Sequence, residues 1–472
     1  MCQKTGATLG RLCQVCGVCL CAVILLQNLL ALPSTQPMAV LGGLLVGVCA
    51  ILLCRKYLRP ARGFALVLFA LRFALALFFI LWLDSQPVQD FQTLYAAAGQ
   101  LAQGSHTYLD NLYFFNWAYQ SAFMAYEALV IFLFGPSLLP LQLLNALYLS
   151  LTNVLVYLIA RRLTGERAAM TAGVLYALYP APLFLAGVLT NQHLSVCLFY
   201  AGIYLLVKDK ELSPARTLGA GVLLALGNAM RPIGVIPLLA ALIWCILRAL
   251  THKRWRSVLR GGLVAAGYFA VGAALTGLIV YGGINPEGLG NNQPMWKFVV
   301  GLNQDSNGCW NSADYDAFLS LPTQQAHEAM TQTVRERLSV GIPKLAGLVW
   351  RKNAVMWAAN EDLYWGFGHL EPDAAALTFP VTLSWNRIQL LLGGVDKGMY
   401  LLAFALALVG LLGPLKKSER CGRTMLLTLL VCGYCTVHLI VEVQVRYRYF
   451  LMPCIFLLAG LALARLFPKG DN

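Results

Sequence analysis

Apolar runs of about 16 to 24 residues, parted by short basic loops and two longer polar stretches, organise this chain, and runs of that size suit a helix crossing a hydrocarbon core of about 30 Å. Twelve spans are predicted, at about 15–32, 38–54, 64–83, 138–160, 167–186, 189–207, 216–231, 232–250, 258–282, 396–414, 424–441 and 449–466. The fold class is an all-α polytopic membrane protein. Lys4 and Arg11 before the first run imitate a signal peptide, but the run is long and no small-x-small cleavage site follows. It reads as a retained helix.

The polar stretches carry a different rhythm. After the third run, Phe91, Leu94, Tyr95, Ala98, Leu101 and Ala102 recur at helical spacing. Asp90, Gln92, Thr93, Gln100 and Gln103 take the opposite side, which predicts a helix lying in the membrane interface. A second interfacial segment, about 117–134, holds Glu127 in its middle and stops at Gly135-Pro136. The longest non-spanning region, 283–395, has an apolar part at 338–359, but Lys344, Arg351 and Lys352 interrupt it. That part is predicted to sit on the surface of a small cap.

Composition agrees with the pattern. The 472 residues are 59% hydrophobic and only 12% charged, against about a quarter charged in soluble domains. The net charge of +14 could suggest nucleic acid, but most of the Lys and Arg fall in alternate short loops. These include Arg161 and Arg162, then Lys208, Lys210 and Arg216, then Lys416, Lys417 and Arg420. Such clusters mark cytoplasmic loops, so both termini are expected inside and no nucleic-acid partner is expected. Most of the 14 cysteines lie in apolar runs and act there as small hydrophobes. Cys13-x-x-Cys16 and Cys432-x-x-Cys435 match a redox or metal spacing but have no accompanying ligand pair.

The polar residues that need explaining all fall on the outer side. They are Asp84 and Asp90; Asn191-Gln192-His193; Arg231; Asn303 in the long loop; and Glu442, Gln444, Arg446, Tyr447 and Arg448 in the last outer turn, VEVQVRYRYFLMP. Bland roles compete for each. Asp90 could cap a helix, Arg446 and Arg448 could anchor the interface, and His193 could simply hydrogen-bond. Asp84 could mark the end of a span. Arg72, inside the third run, could pair with an acid or snorkel. No P-loop is present, which removes support for ATP-driven transport.

A carboxylate loop after an early span, a following amphipathic helix pair and a terminal RYRY turn before Pro453 resemble the GT-C glycosyltransferases. The nearest branch in pattern is that of protein O-mannosyltransferases and aminoarabinose transferases. LQLLNALYLSLTNVLVYLIARRLTG is similar to the helix that follows the first outer loop there. On this resemblance residues 1–62 are two added helices and 63–282 a core with a catalytic loop at 84–137. Residues 283–395 form a cap, and 396–472 the C-terminal helices.

The resemblance implies a polyprenyl-phosphate sugar as donor and a lipid, glycan or protein hydroxyl as acceptor. It implies transfer with inversion on the outer face of a plasma membrane, bacterial by analogy. Asp90 would be the general base, with Asp84 beside it as a weaker candidate. Arg446 and Arg448 stand where the donor phosphate's arginine would fall, helped by Arg231, Tyr447, Glu442, Gln444, Asn191, His193 and Asn303. The family commonly has an acid where Asn191-Gln192-His193 stand, so no metal and no cofactor are expected. The competing reading is a multi-pass transporter or lipid-linked sugar flippase, which would gather ionisable residues near the midplane and repeat its halves.

Overall fold

Hydropathy alone sets out the main helices in the structure, a computed structural model that describes residues 2–208, 211–378, 381–413 and 421–467. The N-terminal helices are α1 (Cys2–Ala31), α2 (Pro37–Tyr57) and α3 (Phe64–Leu83). The first long loop, between α3 and the next long helix, holds α4 (Gln89–Ala102) and α5 (Ser121–Phe134). Then follow α6 (Leu138–Leu163), α7 (Glu166–Leu178), α8 (Gln192–Val207), α9 (Pro214–Met230), α10 (Val235–His252) and α11 (Arg256–Tyr281). The long loop holds α12 (Thr323–Leu338) and α13 (Ile342–Asn353), and α14 (Trp385–Leu412), α15 (Cys421–Val437) and α16 (Met452–Leu463) close the chain. A two-stranded antiparallel pair, Ala375–Leu377 with Leu383–Ser384, sits before α14. Lys210, Lys416, Lys417 and Arg420, used above for orientation, lie outside the described residues.

Every predicted span has a helical counterpart, but among the described residues only seven helices are both long and apolar enough to cross alone: α1, α2, α3, α6, α10, α11 and α14. The helices α8, α15 and α16 are shorter, at 16, 17 and 12 residues. Each is cut at the end where polar site residues sit. The chain from Gln444 enters α16 through a 3-10 turn, Val445–Phe450, whose Arg446 and Arg448 are buried. Irregular backbone at that depth is tolerated when it is buried in protein or lines a cavity.

Two boundaries depart from the sequence reading. The span expected at 167–186 breaks after Leu178, and a four-residue helical turn, Ala181–Phe184, follows. Pro180 removes a backbone donor there and restricts the residue before it. Arg72 meets this break: fully buried in α3, it donates from Nη1 to the carbonyls of Ala177 (2.6 Å) and Tyr179 (3.1 Å). Cationic capping of a helix C-terminus is favourable, so Arg72 serves the fold rather than pairing with an acid. The span expected from 396 starts at Trp385 instead, with Ser384 as its cap. Asp396 and Lys397 therefore fall inside the helix, and both are about 1% exposed. Asp396 accepts from the Ala181 N–H at 3.0 Å, and Lys397 donates to the Ala358 carbonyl at 2.6 Å.

Small residues bring helices close. At Gly43 an added Cβ would lie 2.1 Å from the Val395 carbonyl, and at Gly398 2.2 Å from that of Val40. The two G-x-x-x-G pairs, Gly43/Gly47 and Gly394/Gly398, thus seat α2 on α14.

Candidate functional site

The first loop is stitched to the start of the long loop by side chains and backbone together. Tyr108 donates to the Ile284 carbonyl (2.7 Å), and Asn285 Nδ2 reaches Phe114 O and Ser121 Oγ, both at 2.9 Å. The Tyr119 N–H donates to Gly290 O at 2.9 Å. Beyond this seam, the Glu442 N–H donates to Lys297 O (2.9 Å), and Gly301 packs where a Cβ would strike Ile440 O at 2.4 Å. Lys352, buried, clasps the seam with three bonds from Nζ, to Gly301 O (2.6 Å), Val441 O (2.9 Å) and Leu439 O (3.0 Å). The first loop, the long loop, the α8 and α9 ends and the terminal turn thus meet at one junction, termed the chamber.

Asp90 enters from the first turn of α4. The cap position of that helix is Val88, and no side chain caps it, so Asp90 is not held as a helix cap. Its side chain is exposed and, among the described residues, in no hydrogen bond or ion pair. Arg446 faces it from the terminal turn. The guanidinium lies 4.0 Å from the Trp365 ring centre and 5.3 Å from that of Phe91, the neighbour of Asp90. Stacking on aromatic faces holds a guanidinium flat while its edge stays free to donate. Nε donates to Gln444 Oε1 at 2.7 Å, and the buried Nη1 has no partner.

Behind Arg446 runs a charged chain. Gln444 Nε2 donates to Glu442 Oε1 at 2.7 Å, and Glu442 is ion-paired with Lys297. Burial raises the Glu442 carboxyl, but the Lys297 ammonium and the Gln444 bond outweigh it and hold the group below its ordinary value. Burial lowers Lys297, yet Glu442 and the tyrosines around it leave it raised. Glu442 forms its ion pair with Lys297, and it reaches Arg446 only through Gln444 and at longer range. Arg231, from the end of α9, also meets no acid: it donates to Asn191 Oδ1 at 3.0 Å and lies 5.2 Å from the Tyr447 ring centre.

Other candidates stand outside the chamber. Arg448 is about 2% exposed and donates to Glu361 Oε2 from Nη2 at 2.6 Å and to Ala359 O from Nη1 at 3.0 Å, with Asp396 at 4.0 Å. His193 is buried, its Nδ1 2.6 Å from the Tyr449 hydroxyl and its Nε2 2.8 Å from Leu185 O. Asn303 binds Asp314, which in turn pairs with Arg337, inside the cap. Asp84 ends α3 at a positive φ of 48°, exposed to one side. Lys297, Trp365, Phe91, Tyr113, Tyr119 and Gln120 belong to the chamber but were not singled out from sequence. Lys297 alone left a signal, as a cation in an outer region otherwise rich in acids.

Residues 122–275 match the family of dolichyl-phosphate-mannose-protein mannosyltransferases. No curated protein matches the chain. Among solved structures it is similar to archaeal oligosaccharyltransferase AglB from Archaeoglobus fulgidus in complex with an inhibitory peptide and a dolichol-phosphate. That likeness has 14% identity and a TM-score of 0.41, over 86% of this chain and 51% of that one. It is also similar to ArnT from Cupriavidus metallidurans bound to undecaprenyl phosphate, at 13% identity and TM-score 0.38, over 86% of this chain and 79% of that one. This chain spans about half the length of the archaeal enzyme.

Proposed function

We propose that this integral membrane protein is a GT-C-type glycosyltransferase whose chamber moves a sugar from a polyprenyl-phosphate carrier to an acceptor hydroxyl, a reading supported by the family match over residues 122–275. One observation carries this reading. A carboxylate without a partner, Asp90, and a guanidinium without a counter-ion, Arg446, face one chamber and do not pair with each other. Opposite charges that act on each other without pairing leave room for a substrate that needs both.

The chemistry follows from the charges. Asp90 takes the acceptor's hydroxyl proton as that oxygen attacks the anomeric carbon. The bond from that carbon to the phosphate oxygen breaks, and its electron pair leaves with the carrier. The lipid phosphate thereby goes from one negative charge to two. Arg446 Nη1, with Arg231 near it, is placed to receive the added charge, and such preorganised donors commonly contribute about 10²- to 10³-fold. The Lys297–Glu442–Gln444 chain orients Arg446. Attack opposite the leaving phosphate inverts the anomeric centre. The carriers bound by the archaeal enzyme and by ArnT are the class of donor we expect here. An outer-face site with both termini inside agrees with the distribution of basic loops.

The test is transfer itself. Purified protein is incubated with a panel of radiolabelled polyprenyl-phosphate sugars and membrane extract, beside Asp90→Asn. Label should leave one carrier in wild type and stay on it in the variant. A carrier panel left intact by folded wild-type protein would overturn the proposal and favour transport.

A further inference from the structure

A cavity of about 380 Å³ lies at the end of α1, built wholly from residues outside the stretch that matches the family. Its volume falls within the range of ligand sites, about 300–1,000 Å³. One wall is α1, with Gln27, Leu30 and Ala31, and the other is the chain after α13, with Ala354, Ala358 and Ala359. Residues 354–358 form a π-helical turn, closed by the Ala359 N–H on Ala354 O at 3.0 Å. Such turns recur at functional sites. Alanine at four of these six wall positions leaves the space open.

Neither wall is free to collapse. Gln27 Nε2 donates to Trp350 O at 2.9 Å and Gln27 Oε1 accepts from Asn353 Nδ2, which ties the end of α13 to α1. The carbonyls of the turn are engaged one after another. Trp357 O accepts from Asn28 Nδ2 and from the Tyr400 hydroxyl, both at 2.9 Å. Ala358 O accepts from Lys397 Nζ at 2.6 Å, and Ala359 O from Arg448 Nη1 at 3.0 Å. Moving the turn to fill the cavity would break these bonds, and a buried carbonyl left unpaired is costly.

The lining selects the ligand class. Among the described residues no charged side chain lines the cavity, and the Gln27 amide is engaged at both atoms. What remains is hydrocarbon, Trp350, and Asn360, whose exposed amide makes no hydrogen bond among the described residues. Leu30 at the rim is 64% exposed and Trp350 46%. Leu26, one turn before Leu30, is exposed as well, and both lie on a helix long and apolar enough to cross a membrane. A cavity that opens beside such a surface opens toward lipid, and tryptophan is enriched at that boundary.

We propose that this cavity holds one acyl chain of a membrane phospholipid, with Asn360 donating to the ester carbonyl at its mouth. The site is separate from that of the sugar donor, whose phosphate is expected at Arg446. Nothing charged lines this cavity, so the lipid is selected by its chain and not by its headgroup. Burial of methylene groups supplies the affinity.

The full-length protein in phosphatidylcholine nanodiscs tests this, with phosphatidylcholine carrying a diazirine in one acyl chain as the probe. Light should attach the probe to residues 27–31 and 354–360, as read by peptide mass spectrometry. Ala31→Phe and Ala354→Phe fill the cavity from opposite walls. Each should cut that labelling about tenfold, since displacing two methylenes forfeits that much. Labelling of the exposed Leu66 and Val67 on α3 should stay constant, and with an unchanged thermal midpoint it shows that the variants are folded.

Wild type gives two further answers without any substitution. Nanodiscs of phosphatidylglycerol should give the same labelling, and added polyprenyl phosphate should not displace the probe. Labelling that survives both fillings overturns the proposal. Displacement by polyprenyl phosphate also overturns it and puts the cavity on the donor's path. A strong preference for one headgroup would overturn it in favour of a charged site, and cross-links joining two chains would give this face to a second copy. None of these readouts needs turnover, so they hold whether or not the protein transfers sugar.

Discussion

Arg446 and Arg448 stand two residues apart on one turn, and their surroundings treat them in opposite ways. Arg448 has everything a buried guanidinium needs: the Glu361 carboxylate, the Ala359 carbonyl, Asp396 nearby and the Tyr400 ring 4.7 Å away. Arg446 has two aromatic faces, a neutral amide and an empty edge. In a 3-10 turn, with about three residues per turn, positions two apart point different ways. One reaches inward to the bundle and the other reaches the chamber. The difference teaches where chemistry can reside. A charge whose partners are built into the fold holds the fold, and a charge whose partner is missing is available to a substrate.

The contrast can be broken most severely at Arg448. Arg448→Met leaves Glu361 buried with no ion-pair partner, and breaking a buried pair from one side costs about 3–5 kcal/mol. Denaturation in detergent should show that loss, whatever the activity. Arg446→Met should do the reverse. It removes a charge that pairs with nothing, so the melting midpoint moves far less, while transfer falls about 10²- to 10³-fold. If both variants lost stability equally, the distinction between them would fail.

A smaller effect sharpens the role of the chain behind Arg446. Glu442 titrates below its ordinary value of 4.5 in the fold. Its pairing with Lys297 therefore contributes stability above about pH 4.5, and that contribution fades as the pH falls through the lower folded value. Wild type and Glu442→Gln should differ in thermal midpoint at pH 7 and converge as the pH falls through the lowered folded value of Glu442. A constant gap at every pH would mean that the pair contributes only packing.

Most of the fold was legible because hydropathy and length suffice to mark long apolar helices. The helix at Asp90 was legible too, since its apolar and polar positions separate cleanly at helical spacing. Legibility failed where tertiary contacts satisfied what looked like exposed polarity. The span expected from 396 starts at Trp385, so Asp396 and Lys397 lie inside α14, where the Ala181 N–H and the Ala358 carbonyl meet them. The RYRY turn pointed to two candidate arginines, but only Glu361, 87 residues away, separates their roles. Trp365 and Gln120 gave no signal, because their part in the chamber depends on loops that meet only after folding.

The smallest expected effect concerns Asp84. It ends α3 in the left-handed region at φ 48°, a conformation that Asn also accepts. Asp84→Asn should change stability by less than about 0.5 kcal/mol and leave transfer near wild type. A loss there matching that of Asp90→Asn would move the base to Asp84.

The most direct test of these assignments is a cryo-EM map of the protein with polyprenyl phosphate. The account predicts phosphate density against Arg446 Nη1 and within reach of Arg231, with Asp90 across from it and Arg448 still bonded to Glu361. Phosphate seated on Arg448 with Glu361 displaced, or a lipid headgroup lying away from the chamber, would contradict it.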